Sequence, residues 1–184
     1  MNLLNESQVK KAVENCNYVV HVASPVPLKQ PSDEKDVIDP AFKGTLFVLR
    51  ASQKNKVKRV ALTSSYLAIS HNEYKDHNFF DEKQWSDVKA CEPYSKSKVL
   101  AEQAAWDFLE SLNEKDRFQL VVLNPGVILG PTLTGLPYTS GIFLKKIMHR
   151  SWPGVAKFAL PIVDVRDCAQ AHLLAITSPN ITES

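Results

Sequence analysis

Three short runs of mostly apolar residues, rich in β-branched side chains, constrain this chain more than any other feature. They lie at Tyr18–Ala23, Lys58–Thr63 and Phe118–Leu123. A strand with little polar alternation is typical of a parallel sheet that is covered on both faces. Segments with helical spacing of apolar residues separate the runs, from Asp33 onwards and at Ser95–Leu112. The alternation predicts an α/β fold in which helices cover both faces of a parallel sheet.

The last third of the chain continues the same alternation. The pattern predicts a helix at Gly141–Arg150 and a short strand at Pro161–Val165, followed by an Ala-rich and Leu-rich helix that ends at about Thr177. Asp167 has the kind of side chain that caps a helix N-terminus, so we predict it to be the N-cap of that helix. We find no internal repeat and no linker, which indicates one domain or part of one.

Composition and charge exclude several classes of function. The chain has 22 Lys and Arg against 20 Asp and Glu, without a basic stripe of the kind that binds nucleic acid. No apolar run approaches the roughly 20 residues that span a bilayer, and no signal segment follows Met1. Cys16, Cys91 and Cys168 lie far apart, and no histidine pair has metal-ligand spacing. We therefore expect a soluble, cytoplasmic protein with no nucleic-acid or membrane partner, no disulfide and no metal.

A tyrosine and a lysine stand four residues apart where the long helix begins, at Tyr94 and Lys98. Residues at this spacing share one face of a helix. A free phenol has a pKa near 10 and is a poor acid or base at neutral pH, unless a nearby cation favours its phenolate. Ser65 follows a predicted strand, and the carboxyl ends of parallel strands are where such sheets collect catalytic groups. A Ser65 hydroxyl could hydrogen-bond a carbonyl oxygen that Tyr94 protonates.

Five motifs stand in order along nearly the whole chain. They are His21–Pro25, Val57–Ser65, Tyr94–Trp106, Asn124–Pro131 and Val163–His172. Together they resemble the extended short-chain dehydrogenase/reductases of the NAD-dependent epimerase/dehydratase superfamily. Within that group the chain is similar to the branch of dihydroflavonol reductase and cinnamoyl-CoA reductase.

The resemblance implies an NAD(P)H-dependent reductase that interconverts a small-molecule carbonyl and an alcohol. Ser65 would polarise the carbonyl and Tyr94 would act as acid or base. Lys98 would lower the pKa of Tyr94 and hold the nicotinamide ribose. NADP is the expected cofactor, with NAD as the alternative.

The resemblance also implies further cofactor contacts. Leu3 would lie at the adenine and Ser140 near the phosphates. The other implied contacts are Val22, Ala23 and Ser24 along the cofactor, and the turn Pro125, Gly126, Val127 and Ile128 against the nicotinamide amide.

The glycine-rich turn that cradles a pyrophosphate in this family has no counterpart among the six glycines of the chain. The family would place that turn ahead of Met1. We therefore expect a Rossmann-type doubly wound parallel sheet that lacks its first βαβαβ part, with the start of a substrate-binding region from about residue 132. The strand Tyr18–Ala23 would then have an open edge, and we expect the chain by itself to be inactive.

Two other readings stay open from the sequence. The chain could be a noncatalytic truncated fragment or isoform of such a reductase, or an epimerase or hydroxysteroid dehydrogenase of the same superfamily. A homodimer also stays open, since extended members pair through the helices around Thr45 and Leu100, whereas close reductase relatives can be monomers.

Overall fold

The computed structural model describes all residues except 28, 30, 71–79, 137, 152–153, 155–158, 180 and 182–184. The helices are α1 (Glu6–Val13), α2 (Lys35–Lys54), α3 (Pro93–Ser111), α4 (Thr139–Met148) and α5 (Val165–Thr177). The strands are β1 (Tyr18–His21), β2 (Arg59–Thr63), β3 (Gln119–Leu123), β4 (Val127–Leu129) and β5 (Ile162–Asp164). None of the described helices is long and apolar enough to cross a membrane.

The strands form two parallel sheets. The larger has the order β1-β2-β3, with Tyr18 opposite Arg59 and Arg59 opposite Gln119. The smaller pairs β4 with β5, so that Val127 lies opposite Ile162. This arrangement confirms the predicted α/β fold with parallel strands. The first predicted strand is shorter than expected, because β1 ends at His21 and not at Ala23.

Helices cover both faces of the larger sheet. On one face, α2 and α3 pack against β2 and β3 in a cluster that includes Val48, Leu49, Val60, Leu62, Ala105, Leu109 and Leu120. On the other face, Ala175 of α5 packs against Ala61 and Val121. Successive residues of β2 thus serve opposite faces, as the two-residue repeat of a strand requires. Burial of each large apolar side chain in this core contributes about 1.5–3 kcal/mol.

A buried arginine ties the C-terminal end of α5 to the sheet. Arg59 is 7% exposed, and its Nε donates to Gln119 Oε1 at 2.8 Å. Its Nη1 donates to the carbonyl oxygens of Ala175 at 3.1 Å and Ser178 at 2.8 Å. The last carbonyls of a helix have no partner within the helix, and a cation there is favourable. Arg59 therefore satisfies these carbonyls and anchors α5.

A second contact holds the middle of α5. His172 Nε2 lies 2.6 Å from Thr63 Oγ1 at the end of β2, and His172 Nδ1 lies 2.7 Å from the carbonyl oxygen of Cys168. Since that carbonyl can only accept, Nδ1 donates, and in the neutral ring Nε2 accepts from the threonine hydroxyl. The helix is thereby fixed to the carboxyl end of β2.

The N-cap of α5 is Asp164 and not the predicted Asp167. The Asp164 side chain accepts a hydrogen bond from the Arg166 backbone N–H at 2.8 Å. Strand β5 runs directly into the helix, so the first turn begins earlier than the pattern indicated and Asp167 lies within it. Hydrogen bonds from the Arg166 side chain and backbone hold the pKa of Asp164 at about 2.

Strand β1 has one free edge in the part of the chain that the structure describes, because it pairs with β2 alone. Tyr18 and Val20 are 46% and 42% exposed. Val19, on the opposite face, packs against the core. An unpaired strand edge with exposed apolar side chains is a template for association with other chains.

We therefore predict that the 184-residue chain self-associates and that Val20→Lys shifts it towards the monomer. A lysine at the edge disfavours edge-to-edge pairing. Size-exclusion chromatography with light scattering measures the change. Met148→Lys is the matched control, since Met148 is an exposed apolar residue on α4. Equal effects of the two substitutions, or a native chain that is monomeric throughout, would contradict the prediction.

Candidate active site

A cleft of about 850 Å³ opens at the carboxyl ends of the β1-β2-β3 sheet. Parallel sheets collect ligands at this end, and the volume lies within the roughly 300–1,000 Å³ of typical ligand pockets. The segments after β1 and β2, the first turns of α3, residues between Pro125 and Ser140, and Val165 line the cleft. Five separate parts of the chain therefore meet there.

Most of the predicted site residues line this cleft. They are Val22, Ser24, Ser65, Tyr94, Lys98, Pro125, Gly126, Val127, Ile128 and Ser140. Leu3 is not brought to the cleft, and its side chain packs instead beside Gly44 of α2. Ala23 lines a smaller neighbouring cavity, which also contacts Ser24 and Lys98.

Tyr94 and Lys98 are positioned by the start of α3. Pro93 occupies the first turn of this helix, where its fixed φ suits helical geometry and its missing N–H has no cost. Tyr94 and Lys98 follow one turn apart, and Lys98 Nζ lies 5.9 Å from the centroid of the Tyr94 ring. The same Nζ donates to the Thr63 carbonyl oxygen at 3.3 Å. The lysine therefore connects α3 to the end of β2.

Ser65 is held by the turn that follows β2. The residue is 5% exposed, and its Oγ accepts from the Leu67 backbone N–H at 3.2 Å at the start of a short 3₁₀ helix, Tyr66–Ala68. Its hydroxyl lines the same cleft as the Tyr94 phenol and lowers the pKa of that phenol. Ser65 and Tyr94 thus face each other across the cleft wall.

Burial shifts the pKa of both Tyr94 and Lys98. The pKa of Lys98 falls to about 8, because burial disfavours the ammonium more than Glu102 stabilises it. The pKa of Tyr94 rises, chiefly through burial, while the hydrogen bond with Ser65 works against the rise. The resemblance implies the opposite direction for Tyr94. The Lys98 ammonium lies over the ring face and donates to the Thr63 carbonyl, so burial dominates at the phenol.

The cleft residues fit the nicotinamide end of a dinucleotide. The Ser24 Oγ is buried and has no hydrogen-bond partner among the described residues, as expected of a group that awaits a ligand hydroxyl. The Lys98 ammonium offers a second donor beside it. Both donors suit the hydroxyls of a ribose. No group of three or more His, Cys, Asp or Glu within the described ranges could hold a metal ion.

Sequence reasoning assigned no role to several residues that build the site. The loop from Leu129 to Leu136 lines the cleft, and Tyr138 donates from its hydroxyl to the Gly130 carbonyl at 2.9 Å. Two polar residues, the buried Glu102 and the half-buried Asn124, lie just behind the cleft. The sequence signals for Glu102 are its place within the Tyr94–Trp106 motif and its spacing of one helical turn from Lys98.

Gly126 allows the two short strands to approach each other. A Cβ at this position would lie 2.3 Å from the Pro161 carbonyl oxygen, which accepts a hydrogen bond from the Val127 N–H at 2.8 Å. The glycine is thus needed for the pairing of β4 with β5, independently of any cofactor.

The chain matches known proteins over nearly its whole length. It matches the family described as the 3-beta hydroxysteroid dehydrogenase/isomerase family over residues 1–180. It is 37% identical to cinnamoyl-CoA reductase 1 of Arabidopsis thaliana, over 97% of this chain and 51% of that protein. The structure of yeast methylglyoxal/isovaleraldehyde reductase Gre2, complexed with NADPH, superposes with a TM-score of 0.81 at 30% identity, over 95% of this chain and 56% of that one.

Vestitone reductase from alfalfa, Medicago sativa, superposes with a TM-score of 0.73 at 30% identity, over 96% of this chain and 56% of the other. The fold is thus that of a Rossmann-like α/β protein. The chain belongs to the 3-beta hydroxysteroid dehydrogenase/isomerase family, and the resemblance to extended short-chain dehydrogenase/reductases is confirmed. The chain spans about half the length of the curated relatives that it matches, 51% in the case of the Arabidopsis protein.

Gly126→Ala is expected to destabilise the chain by about 1–3 kcal/mol, since the added methyl must displace the Pro161 backbone. Thermal unfolding followed by circular dichroism measures the effect. Gly154→Ala is the control, because a Cβ there meets no atom within 4 Å. An unchanged melting temperature for Gly126→Ala would contradict the close approach.

Lys98→Met is expected to stabilise the chain at pH 7 by roughly 3 kcal/mol, since one pKa unit corresponds to about 1.4 kcal/mol. The native state releases the Lys98 proton at about pH 8, and the unfolded state at about 10.5. The free energy of unfolding of the unsubstituted chain therefore rises with pH between these two values. The extra stability of Lys98→Met decreases over the same range. Denaturant unfolding at several pH values measures the difference.

Lys96→Met is the matched control, because Lys96 lies on the same helix and forms an exposed ion pair with Glu34. Exposed pairs contribute about 0–1 kcal/mol. The prediction fails if the two variants have the same stability at pH 7.

Proposed function

We propose that this chain supplies the catalytic half of an NAD(P)H-dependent reductase that converts a carbonyl compound to an alcohol, and back. The observation that carries the proposal is the convergence of Ser65, Tyr94 and Lys98 in one cleft at the carboxyl ends of parallel strands. The names of the relatives support the reaction class, since they are reductases of cinnamoyl-CoA, methylglyoxal and isovaleraldehyde, and vestitone.

The residues of the cleft fit the proton chemistry of such a reduction. When bound, the nicotinamide supplies or takes up the hydride. Because the pKa of Tyr94 is raised, its phenol holds its proton at neutral pH and can donate it to the oxygen of a reduced carbonyl. The Ser65 hydroxyl donates a hydrogen bond to the same oxygen, and so stabilises the negative charge that develops there.

Lys98 completes the arrangement in two ways. With a pKa of about 8 it is mostly protonated at pH 7, and its charge beside the Tyr94 ring favours the phenolate that forms when the proton leaves. Together with the Ser24 hydroxyl, which has no hydrogen-bond partner in the described part of the chain, it offers donors to the ribose of the cofactor. We propose NADPH as the preferred cofactor and NADH as the alternative, since the Gre2 structure holds NADPH.

The lining of the cleft favours an aldehyde or ketone with an apolar substituent. Leu67, Val127, Leu129, Leu133 and Leu136 contribute apolar side chains to the wall. Such a wall binds an apolar group and keeps water from the reacting carbonyl. A hydroxysteroid is a second candidate substrate, favoured by the description of the matching family.

The test joins the chain to the dinucleotide-binding half of the yeast reductase and follows NADPH or NADH oxidation with aldehydes, ketones and ketosteroids. We expect oxidation with at least one carbonyl class, and a fall of two or more orders of magnitude in Tyr94→Phe. General acid catalysis contributes about 10²–10⁴-fold.

Tyr18→Phe serves as the control for that variant, because Tyr18 is an exposed tyrosine on β1. Near-native turnover in Tyr94→Phe would remove Tyr94 from the mechanism. If neither the chain alone nor the fusion oxidises the cofactor with any substrate, the proposal is wrong. The hypothesis of a noncatalytic fragment or isoform then replaces it.

A further inference from the structure

Glu102 is a charged residue inside the protein to which the proposed reduction gives no role. It is 5% exposed and lies one helical turn after Lys98 on α3. A buried carboxylate is costly unless hydrogen bonds or an opposite charge compensate it. The partners of Glu102 therefore indicate what it does.

One partner of Glu102 is an amide. Asn124 Nδ2 donates to Glu102 Oε2 at 2.8 Å. An amide N–H₂ can only donate, so this contact favours the ionised carboxylate. Burial raises the pKa of Glu102, whereas the side chains of Ser64, Asn124 and Trp106, and after them the charge of Lys98, lower it.

The same amide nitrogen continues to the candidate catalytic serine. Asn124 Nδ2 also donates to the Ser65 carbonyl oxygen at 3.2 Å. Asn124 directly follows β3, and the Ser64 N–H donates to the Leu123 carbonyl at 2.8 Å, which extends the strand pairing up to this point. One buried chain of hydrogen bonds thus runs from α3 through the end of β3 to the end of β2.

Glu102 also faces Lys98 across a small cavity of about 10 Å³, close to the space that one water molecule needs. The titratable groups on its wall are His21 from β1 and Lys98 and Glu102 from α3; the walls from α2 and β2 contribute uncharged residues. Burial, followed by the charge of Lys98, lowers the pKa of His21 to about 4, so its ring is neutral at physiological pH. The charges that face each other are therefore Lys98 and Glu102.

We propose that Glu102 is a positioning residue, whose carboxylate holds Asn124 against the Ser65 backbone while it faces the Lys98 ammonium. In this way it sets the placement of Ser65 relative to the helix that carries Tyr94 and Lys98. The catalytic meaning of this placement rests on the proposed function. The hydrogen-bond chain and the charge pair exist independently of it.

The test follows the Lys98 side-chain resonances of the isotope-labelled 184-residue chain by NMR, from about pH 6 to about pH 11, a range that spans lysine titration. In Glu102→Gln the pKa of Lys98 should fall further below its native value of about 8, because the carboxylate that raises it is gone. Glu110→Gln, an exposed position on the same helix, is the matched control and should leave the Lys98 pKa unchanged.

A second variant separates the two parts of the role. Asn124→Ala keeps the Glu102 charge but breaks the link to Ser65, so the amide resonance of Tyr66 should shift while the Lys98 pKa stays close to native. In the reductase fusion, both variants should lower kcat more than they raise KM, by up to about 10²-fold, as small misplacements of reacting groups do.

An unchanged Lys98 pKa in folded Glu102→Gln would overturn the proposal. If that variant does not fold, the test uses the unsubstituted chain. The chemical shift of the Glu102 carboxyl carbon must then show an inflection at the pKa of Lys98. A titration curve without that inflection overturns the proposal equally. The titrations need no turnover. An inactive fusion whose Lys98 still responds to Glu102→Gln would therefore contradict the proposed function and support the role of Glu102.

Discussion

The parallel pairing of β2 with β3 is the contact on which the rest of the structure depends. It places Thr63 opposite Leu123, and the Ser64 N–H extends the pairing by one more hydrogen bond. Because parallel strands end at the same edge, the residues that follow them are brought together without a special loop. The same two strands form the middle of the core, between α2 and α3 on one face and α5 on the other.

The site concentrates groups that destabilise a folded chain. Lys98, Glu102 and His21 are all buried, and the pKa of both Lys98 and His21 is lowered by burial. Proteins retain such groups where they shift a pKa towards the value that a function needs. The apolar core around Val60 and Leu120, on β2 and β3, compensates for their cost.

The sequence was sufficient for the α/β architecture and for most of the cleft. The apolar runs and their order predicted the three strands of the larger sheet, and the Tyr94 to Lys98 spacing predicted that these two side chains share a face. It could not place Leu3, which packs on α2 beside Gly44, because a single residue ahead of a helix has no periodicity. The N-cap of α5 was misplaced for a related reason, since Asp164 and Asp167 are equally good caps and only the direct run from β5 into the helix decides between them.

The pairing of Lys98 with Tyr94 shows a second limit of prediction from sequence. Spacing fixes which residues are neighbours, but the direction of a pKa shift depends on how deeply both groups are buried. A lysine can lie over a tyrosine ring and yet leave the phenol harder to ionise, when burial acts more strongly than the charge. The arrangement of buried donors around Glu102 likewise depends on three segments that are distant in sequence.

The two anchors of α5 have a consequence for the shape of the cleft. Arg59 contacts the last turn of α5 and Thr63 contacts its middle, so the helix is fixed to the sheet at two points. Strand β5 runs into α5 at Asp164, and Val165, the first residue of the helix, lines the cleft. Arg59, at the opposite end of β2 from the cleft, therefore helps to set the width of the cleft. A ligand too large for the cleft would have to displace the β4–β5 pair, because α5 is held in place.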